Sequence, residues 1–141
     1  MNLYSTLTAM GFVLDVDFVL AANGDGIISI TWLSDKPHPT DAEIAAAALP
    51  AAKAAKKQQI KAATRAHILA RYPEWRQANL TARAVELVSL GQITGPEWSQ
   101  MQAIWNWIKA TRARSDLLES DVDNCTTVEA VEQLIIGGWP D

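Results

Sequence analysis

The feature that most constrains this chain is a change of hydrophobic period at Lys36-Pro37-His38-Pro39. Before it, after one short helical repeat, apolar residues alternate as in strands. Beyond it they recur at helical spacing almost to the C-terminus. Neither proline donates a backbone hydrogen bond, and each pushes the residue before it towards extended geometry. The four residues therefore read as a linker between a small α/β segment and a helical one.

Ahead of the linker, Leu3, Leu7 and Met10 recur at i, i+4, i+7 and mark a short amphipathic helix ending at Gly11. Two strand-like runs, Val16–Ala21 and Ile27–Leu33, flank Asn23-Gly24-Asp25-Gly26, whose residues tolerate the positive φ of a tight connection. A β-hairpin is expected, with Val16, Phe18 and Leu20 sharing a face with Ile28, Ile30 and Trp32. The first helix can cover that face. A lone two-stranded hairpin is only marginally stable in water, and both outer edges offer unpaired backbone groups. Something must cover them, from this chain or another.

Beyond the linker, Thr40-Asp41-Ala42-Glu43 has the form of a capping box. Pro50 is expected to interrupt the helix it opens. A long Ala/Lys/Gln helix should run from Ala51 to Tyr72, where Pro73 stops it and opens the next, which ends at Gly91. Thr94-Gly95-Pro96-Glu97 starts a helix reaching about Ser120, and Thr126-Thr127-Val128-Glu129 caps a last short one, ended by Gly137-Gly138. The expected class is α+β, mostly α: a small helix plus β-hairpin, then a long helix and a helical hairpin or bundle. Its divisions are 1–36 (α/β-hairpin domain), 37–50 (linker and short helix), 51–120 (helical domain) and 121–141 (short helix and tail).

Of the 141 residues 49% are apolar, but much of that share is alanine between Ala42 and Ala66. Alanine buries little area, so the core must come from Leu, Ile, Val, Phe and the six tryptophans. No run approaches the roughly 18 apolar residues of a membrane span. The N-terminus lacks the basic and apolar regions of a signal peptide, and Cys125 is alone, so synthesis in a cytoplasm is expected. Charge is segregated: residues 1–35 hold four aspartates and no basic residue. Residues 50–85 hold eight Lys and Arg against Glu74, and from Asp116 onward every charge is negative. Such a layout suits contacts between segments or between copies.

Candidate chemistry fails residue by residue. His38 lies between two prolines, and His67 has no carboxylate or Cys at i±3 or i±4, so the expectation is no enzyme and no catalytic residue. Asp121-Val122-Asp123 with Glu132 at position twelve echoes a calcium loop. Cys125 and Thr126 occupy its fifth and sixth positions, where an oxygen ligand and a glycine belong. No Cys/His spacing suits zinc, and Gly24-Asp25-Gly26 opens no helix, so neither metal nor cofactor is expected. Lys53, Lys57, Lys61 and Arg65 form a cationic stripe that could lie on nucleic acid, but without interleaved aromatics. A solvated face, or one docked on an acidic neighbour, is favoured.

The tryptophans are the sharpest feature. Trp98, Met101, Ile104, Trp105 and Ile108 share one broad helical face, and Trp107 points well away from its centre. It either packs under a local element such as the last helix, or anchors a partner. Trp139, after Gly137-Gly138, poses the same choice. Trp107, Trp139, Lys53, Lys57, Lys61 and Arg65 are the expected partner contacts.

Two segments carry a family resemblance. Met1-Asn2-Leu3-Tyr4, Asp17-Phe18, Asn23-Gly24-Asp25-Gly26, Ile30-Thr31-Trp32, Pro37-x-Pro39-Thr40 and Glu43-Ile44 resemble the N-terminal part of XkdW-like phage proteins, over about the first 45 residues. From Ile60-Lys61-Ala62 through Asn79–Leu87 to Ile108-Lys109-Ala110-x-Arg112-x-x-Ser115, the chain resembles a helical segment of small phage and prophage tail proteins. The resemblance implies a tail-region protein of a double-stranded DNA phage, made in the host cytoplasm and placed in the virion tail. Its partners would be other tail, baseplate or fibre proteins, with self-association in several copies; on the residues themselves no membrane is expected and nucleic acid is the disfavoured partner. A structural component is the first reading. A fibre-assembly chaperone not retained in the particle, and a small nucleic-acid-binding or host-interference protein, are the alternatives.

Overall fold

Asn2 opens the first element: its side-chain oxygen accepts the Ser5 N–H at 3.2 Å, satisfying one of the donors a helix start leaves unpaired. In a computed structural model, which describes residues 2–141, this cap begins α1 (Leu3–Ala9). Strands β1 (Phe18–Ala22) and β2 (Ile28–Trp32) follow, then helices α2 (Asp41–Arg71), α3 (Glu74–Ser89), α4 (Pro96–Asn124) and α5 (Val128–Gln133). Met1, the first residue of the resembling N-terminal segment, lies outside the described residues. The class is α+β and mostly helical.

The expected hairpin forms, with Phe18 opposite Trp32 and Leu20 opposite Ile30. Gly26 N–H donates to the Asn23 carbonyl, Asn23 N–H donates to the Ile27 carbonyl, and Gly26 sits at φ 81°. This is the three-residue connection that places a glycine in left-handed backbone. Leu7 and Phe18 are fully buried, and Leu3, Met10, Phe12, Leu20, Ile30 and Trp32 pack around them with Ile44. Each fully buried side chain of that size contributes about 1.5–3 kcal/mol. Val16 departs from expectation: it precedes the first strand and is exposed. The chain turns there, with Asp15 at φ 61° and Asp17 N–H donating to the Val13 carbonyl.

Asp17 is the most demanding residue of this core. Its side chain is 2% exposed, and one carboxylate oxygen accepts from Lys36 Nζ (2.8 Å) and the Val13 N–H (2.9 Å). The Lys36 ammonium, then the Val13 amide, hold the carboxyl below the usual aspartate range. After β2, the His38 ring stacks on Trp32 with centroids 4.5 Å apart.

The largest departure from the sequence reading is Pro50. No break occurs: α2 is a single helix of 31 residues with Pro50 inside it, in place of a short helix in 37–50 and another from Ala51. Proline removes the bond to the carbonyl four residues back. That carbonyl belongs to Ala46, which is exposed like Pro50 itself, so water can serve it, and the alanines on both sides favour helix. The capping box forms as read. Thr40 N–H donates to Glu43 Oε2 (2.7 Å), holding that carboxyl below its usual range, and Glu43 N–H donates back to Thr40 Oγ1.

The chain divides into two compact units inside α2 and α4, away from the linker. One is Met1–Lys57 with Val122–Leu134, the other Gln58–Asp121 with Ile135–Asp141. In the second unit Ile68, Tyr72 and Ile108 form a buried cluster, with Ile104, Trp105 and Trp107 against it. Thr64 donates to the Ile60 carbonyl and lies 3.0 Å from Ser115 Oγ, so neither buried hydroxyl is orphaned. Arg83 on α3 forks onto both oxygens of Glu97 at the start of α4 (2.7 and 3.0 Å). The pair holds the guanidinium above, and the Glu97 carboxyl below, their ordinary values.

Two outcomes test this description. Because Asp17 is lowered in the folded state, its stabilisation is complete above the unfolded value and lost as pH falls through the folded one. The protection of the Val13 amide, its exchange compared with that of an unstructured amide at the same pH, should therefore fall on acidification below about pH 4, and Asp17→Asn should remove that step. Pro50→Ala should raise stability by about 2 kcal/mol, the helix-interior preference less the entropy returned to the unfolded chain. Thermal or denaturant melting measures it.

Candidate interaction surface

The cationic stripe of α2 is engaged within the chain. In the first unit Lys53 Nζ donates to the Asp123 carbonyl (2.8 Å), Lys56 Nζ to the Glu132 carbonyl (3.2 Å), and Lys57 pairs with the Asp123 carboxylate (2.7 Å). In the second unit Lys61 lies 3.6 Å from Glu119, and Arg65 pairs with Glu74 at 2.6 Å. The four-residue spacing that suggests a track for phosphates also sets Lys53, Lys57 and Lys61 beside the acidic stretch that follows Asp116. The Lys61 and Arg65 side chains stay 58% and 72% exposed in these pairs.

Trp107 and Trp139 come together in the second unit, around His67. The His67 ring lies 5.3 Å from Trp107 and 5.7 Å from Trp139, centroid to centroid. Tyr72 meets Trp107 edge-on at 5.4 Å, and the Arg71 guanidinium sits 4.7 Å over the Trp107 ring, within cation–π reach. The indole N–H of Trp107 donates to the Pro140 carbonyl (3.1 Å), and Arg114 Nε donates to the Gly137 carbonyl (3.0 Å). Gly138 suits its left-handed φ of 72°, and a Cβ there would lie 3.2 Å from Arg114 Nε, so that side chain would have to give slightly. Both tryptophans are half-buried, so their ring faces and the one N–H donor of Trp107 are used to fasten the C-terminal segment.

An exposed apolar face lies on α3. Trp75, Ala78, Ala82 and Val85, spaced three and four residues apart, line one face of that helix, and all four are exposed; Trp75 and Val85 are each 67% exposed. Val88, Leu90 and Ile93 extend the exposed apolar run past the helix end. The opposite face supplies the packing, with Leu87 buried and Leu80 and Ala84 half-buried. α3 is thus apolar on two faces, one of which is unused within the unit, and a rigid aromatic beside small residues is the composition of an interface anchor.

A cleft of about 480 Å³ in the second unit is lined by Lys61, Arg65 and Arg112 and by Glu74, Asp116 and Glu119 over Thr64 and Ser115. Its charges balance, so it focuses no field of one sign. No group of three or more His, Cys, Asp or Glu among the described residues could hold a metal ion. His67 Nε2 is buried without a hydrogen-bond partner among the described residues, with the Trp107 and Trp139 rings against the imidazole. No described helix is long and apolar enough to cross a membrane. Comparison with known proteins returns no match among family models, curated proteins or solved structures.

The two classes of tryptophan should respond oppositely. Trp107→Ala should destabilise the chain by about 2–3 kcal/mol, below the full cost of a buried ring because it is half-buried. It should also expose the segment around Gly137–Pro140 to protease. Trp75→Ala should shift stability by no more than about 0.5 kcal/mol. Chemical denaturation with limited proteolysis reads both.

Proposed function

We propose that this protein is a structural, non-catalytic component of a bacteriophage tail, at the baseplate, tail tip or fibre junction, acting through protein–protein contacts. The observation that carries the interaction half is the outward face of α3, where a tryptophan and a valine stand mostly exposed on a rigid helix. Exposed rings on regular structure bind at low entropic cost, which suits a part that fits into an assembly. The tail setting is supported by the resemblance of the first 45 residues to XkdW-like phage proteins and of residues 60–115 to small tail proteins. The partners are other tail, baseplate or fibre proteins, met in several copies, and no cofactor is needed. Engagement of Lys53, Lys57, Lys61 and Arg65 inside the chain speaks against nucleic acid as the partner.

Mass spectrometry of purified particles from a producing lysate tests this reading. Stoichiometric presence is expected, whereas absence from particles with recovery on free fibre protein would turn it to an assembly chaperone. Trp75→Glu combined with Val85→Glu should leave the melting temperature nearly unchanged and lower incorporation about tenfold or more, the loss of one aromatic hot spot. A salt-sensitive shift of duplex DNA by the isolated protein would favour the nucleic-acid reading instead.

A further inference from the structure

The two edges of the hairpin are not equivalent. β1 is covered at its first residue by its own chain: Leu14 bridges to Phe18, Asp15 N–H donates to the Phe18 carbonyl at 2.9 Å, and Asp15 bends at φ 61°. β2 has no such cover. Leu33 N–H bonds the Asp17 carbonyl and Asn23 N–H bonds the Ile27 carbonyl, which fixes the parity of the ladder. Ser29 and Thr31 therefore bond inward to β1, while the N–H and C=O groups of Ile28, Ile30 and Trp32 face outward. Among the described residues nothing bonds them. Sheet edges that must stay single are defended by a charge, a proline or a bulge. The run from Ile27 to Leu33 contains none of these.

We infer that the outer edge of β2 pairs antiparallel with the same edge of a second copy of this chain, about a two-fold axis at Ile30, joining two hairpins into one four-stranded sheet. The sequence of the edge matches its own reverse in that register. Ile30 faces Ile30, Ile28 faces Trp32, Ser29 faces Thr31 and Ile27 faces Leu33, so apolar meets apolar and polar meets polar on each face of the sheet. The outward groups of Ile28, Ile30 and Trp32 are then all satisfied. A slip of two residues either way sets Ser29 against Leu33 or Ile27 against Thr31. Ile27 and Leu33, 61% and 52% exposed, gain an apolar neighbour at each end. No like charges are opposed, which an isologous contact requires, since each residue meets the symmetry mate of its partner. The inference is independent of the tail assignment.

The test is light scattering of the full chain from about 1 μM to about 100 μM, the range in which weak pairing is read. A rise towards twice the monomer mass is expected. Amide exchange at Ile28, Ile30 and Trp32 should slow over the same range. Ser29→Lys with Thr31→Lys opposes like charges at both off-axis polar pairs and should weaken association about tenfold or more. Ser29→Lys with Thr31→Glu sets opposite charges against each other and should restore it. A chain that stays monomeric throughout, or a dimer indifferent to the double lysine variant, overturns the inference. So does failure of the charge-swapped variant to recover association while circular dichroism shows it folded. Should the double lysine variant not fold, concentration-independent exchange at the three outward amides decides against the inference, and slowing decides for it.

Discussion

A carboxylate removed from water must be met by donors or it opposes folding, and Asp17 puts that requirement at the centre of the N-terminal unit. The donors come from both sides of the hairpin, Val13 before it and Lys36 after it, while the backbone carbonyl of Asp17 receives the Leu33 N–H. One residue thus closes the open end of a two-stranded sheet through side chain and main chain together. The turn at Val13–Asp17 and the entry to the proline-bounded segment both follow from it. So does the inequality of the edges at Phe18, since the chain that reaches Asp17 also donates to the Phe18 carbonyl. The hydrophobic set of Leu7, Phe18 and Ile44 supplies the larger stabilisation, and the carboxylate selects the geometry in which that set can close.

Charge along α2 is settled by the same logic in weaker form. The basic stretch meets the acidic one that follows it in the pairs Lys57 with Asp123 and Lys61 with Glu119, and Arg65 meets Glu74, the one acid within its own stretch. These pairs are largely exposed, and exposed pairs stabilise little. Their value is in register, because a helix with cations every fourth residue and few large side chains has limited means of fixing its rotation. The buried residues Ile60 and Ile68 set the depth of packing, and the cations set which turn of α2 meets which acid.

What could be read from the sequence follows the range of the forces involved. The capping box at Thr40 and Glu43 and the connection at Gly26 depend on neighbours a few residues away, and both are legible; so is the shared face of Phe18 and Trp32, which follows from strand alternation. Pro50 is local too, but the rule that proline breaks a helix presumes that the freed carbonyl has no other partner. Exposure at Ala46 removes that premise, and exposure is a tertiary fact. Trp107 shows the limit more sharply. Its direction on α4 follows from the helix period, yet the group that takes its N–H is Pro140, thirty-three residues away, and no periodicity points there. Trp75 had a signal, the 3-4-3 spacing of Trp75, Ala78, Ala82 and Val85. It competed with the face of Leu80, Ala84 and Leu87 on the same helix, and only packing decides which of two apolar faces is inside.

The division of the chain into units has a consequence for synthesis. Residues 122–134 belong with the first fifty-seven, so the N-terminal unit lacks its final piece until sixty-four intervening residues, Gln58–Asp121, have been made. A ribosome delivering the chain from its N-terminus therefore presents an incomplete first unit for that whole interval. Val122 and Val131, both fully buried in it, arrive last. Closing so long a loop costs only slightly more entropy than closing a short one, so the delay is kinetic rather than energetic. During it the uncharged edge of β2 is already exposed, and on a polysome other nascent copies of the same edge are the nearest strands at hand.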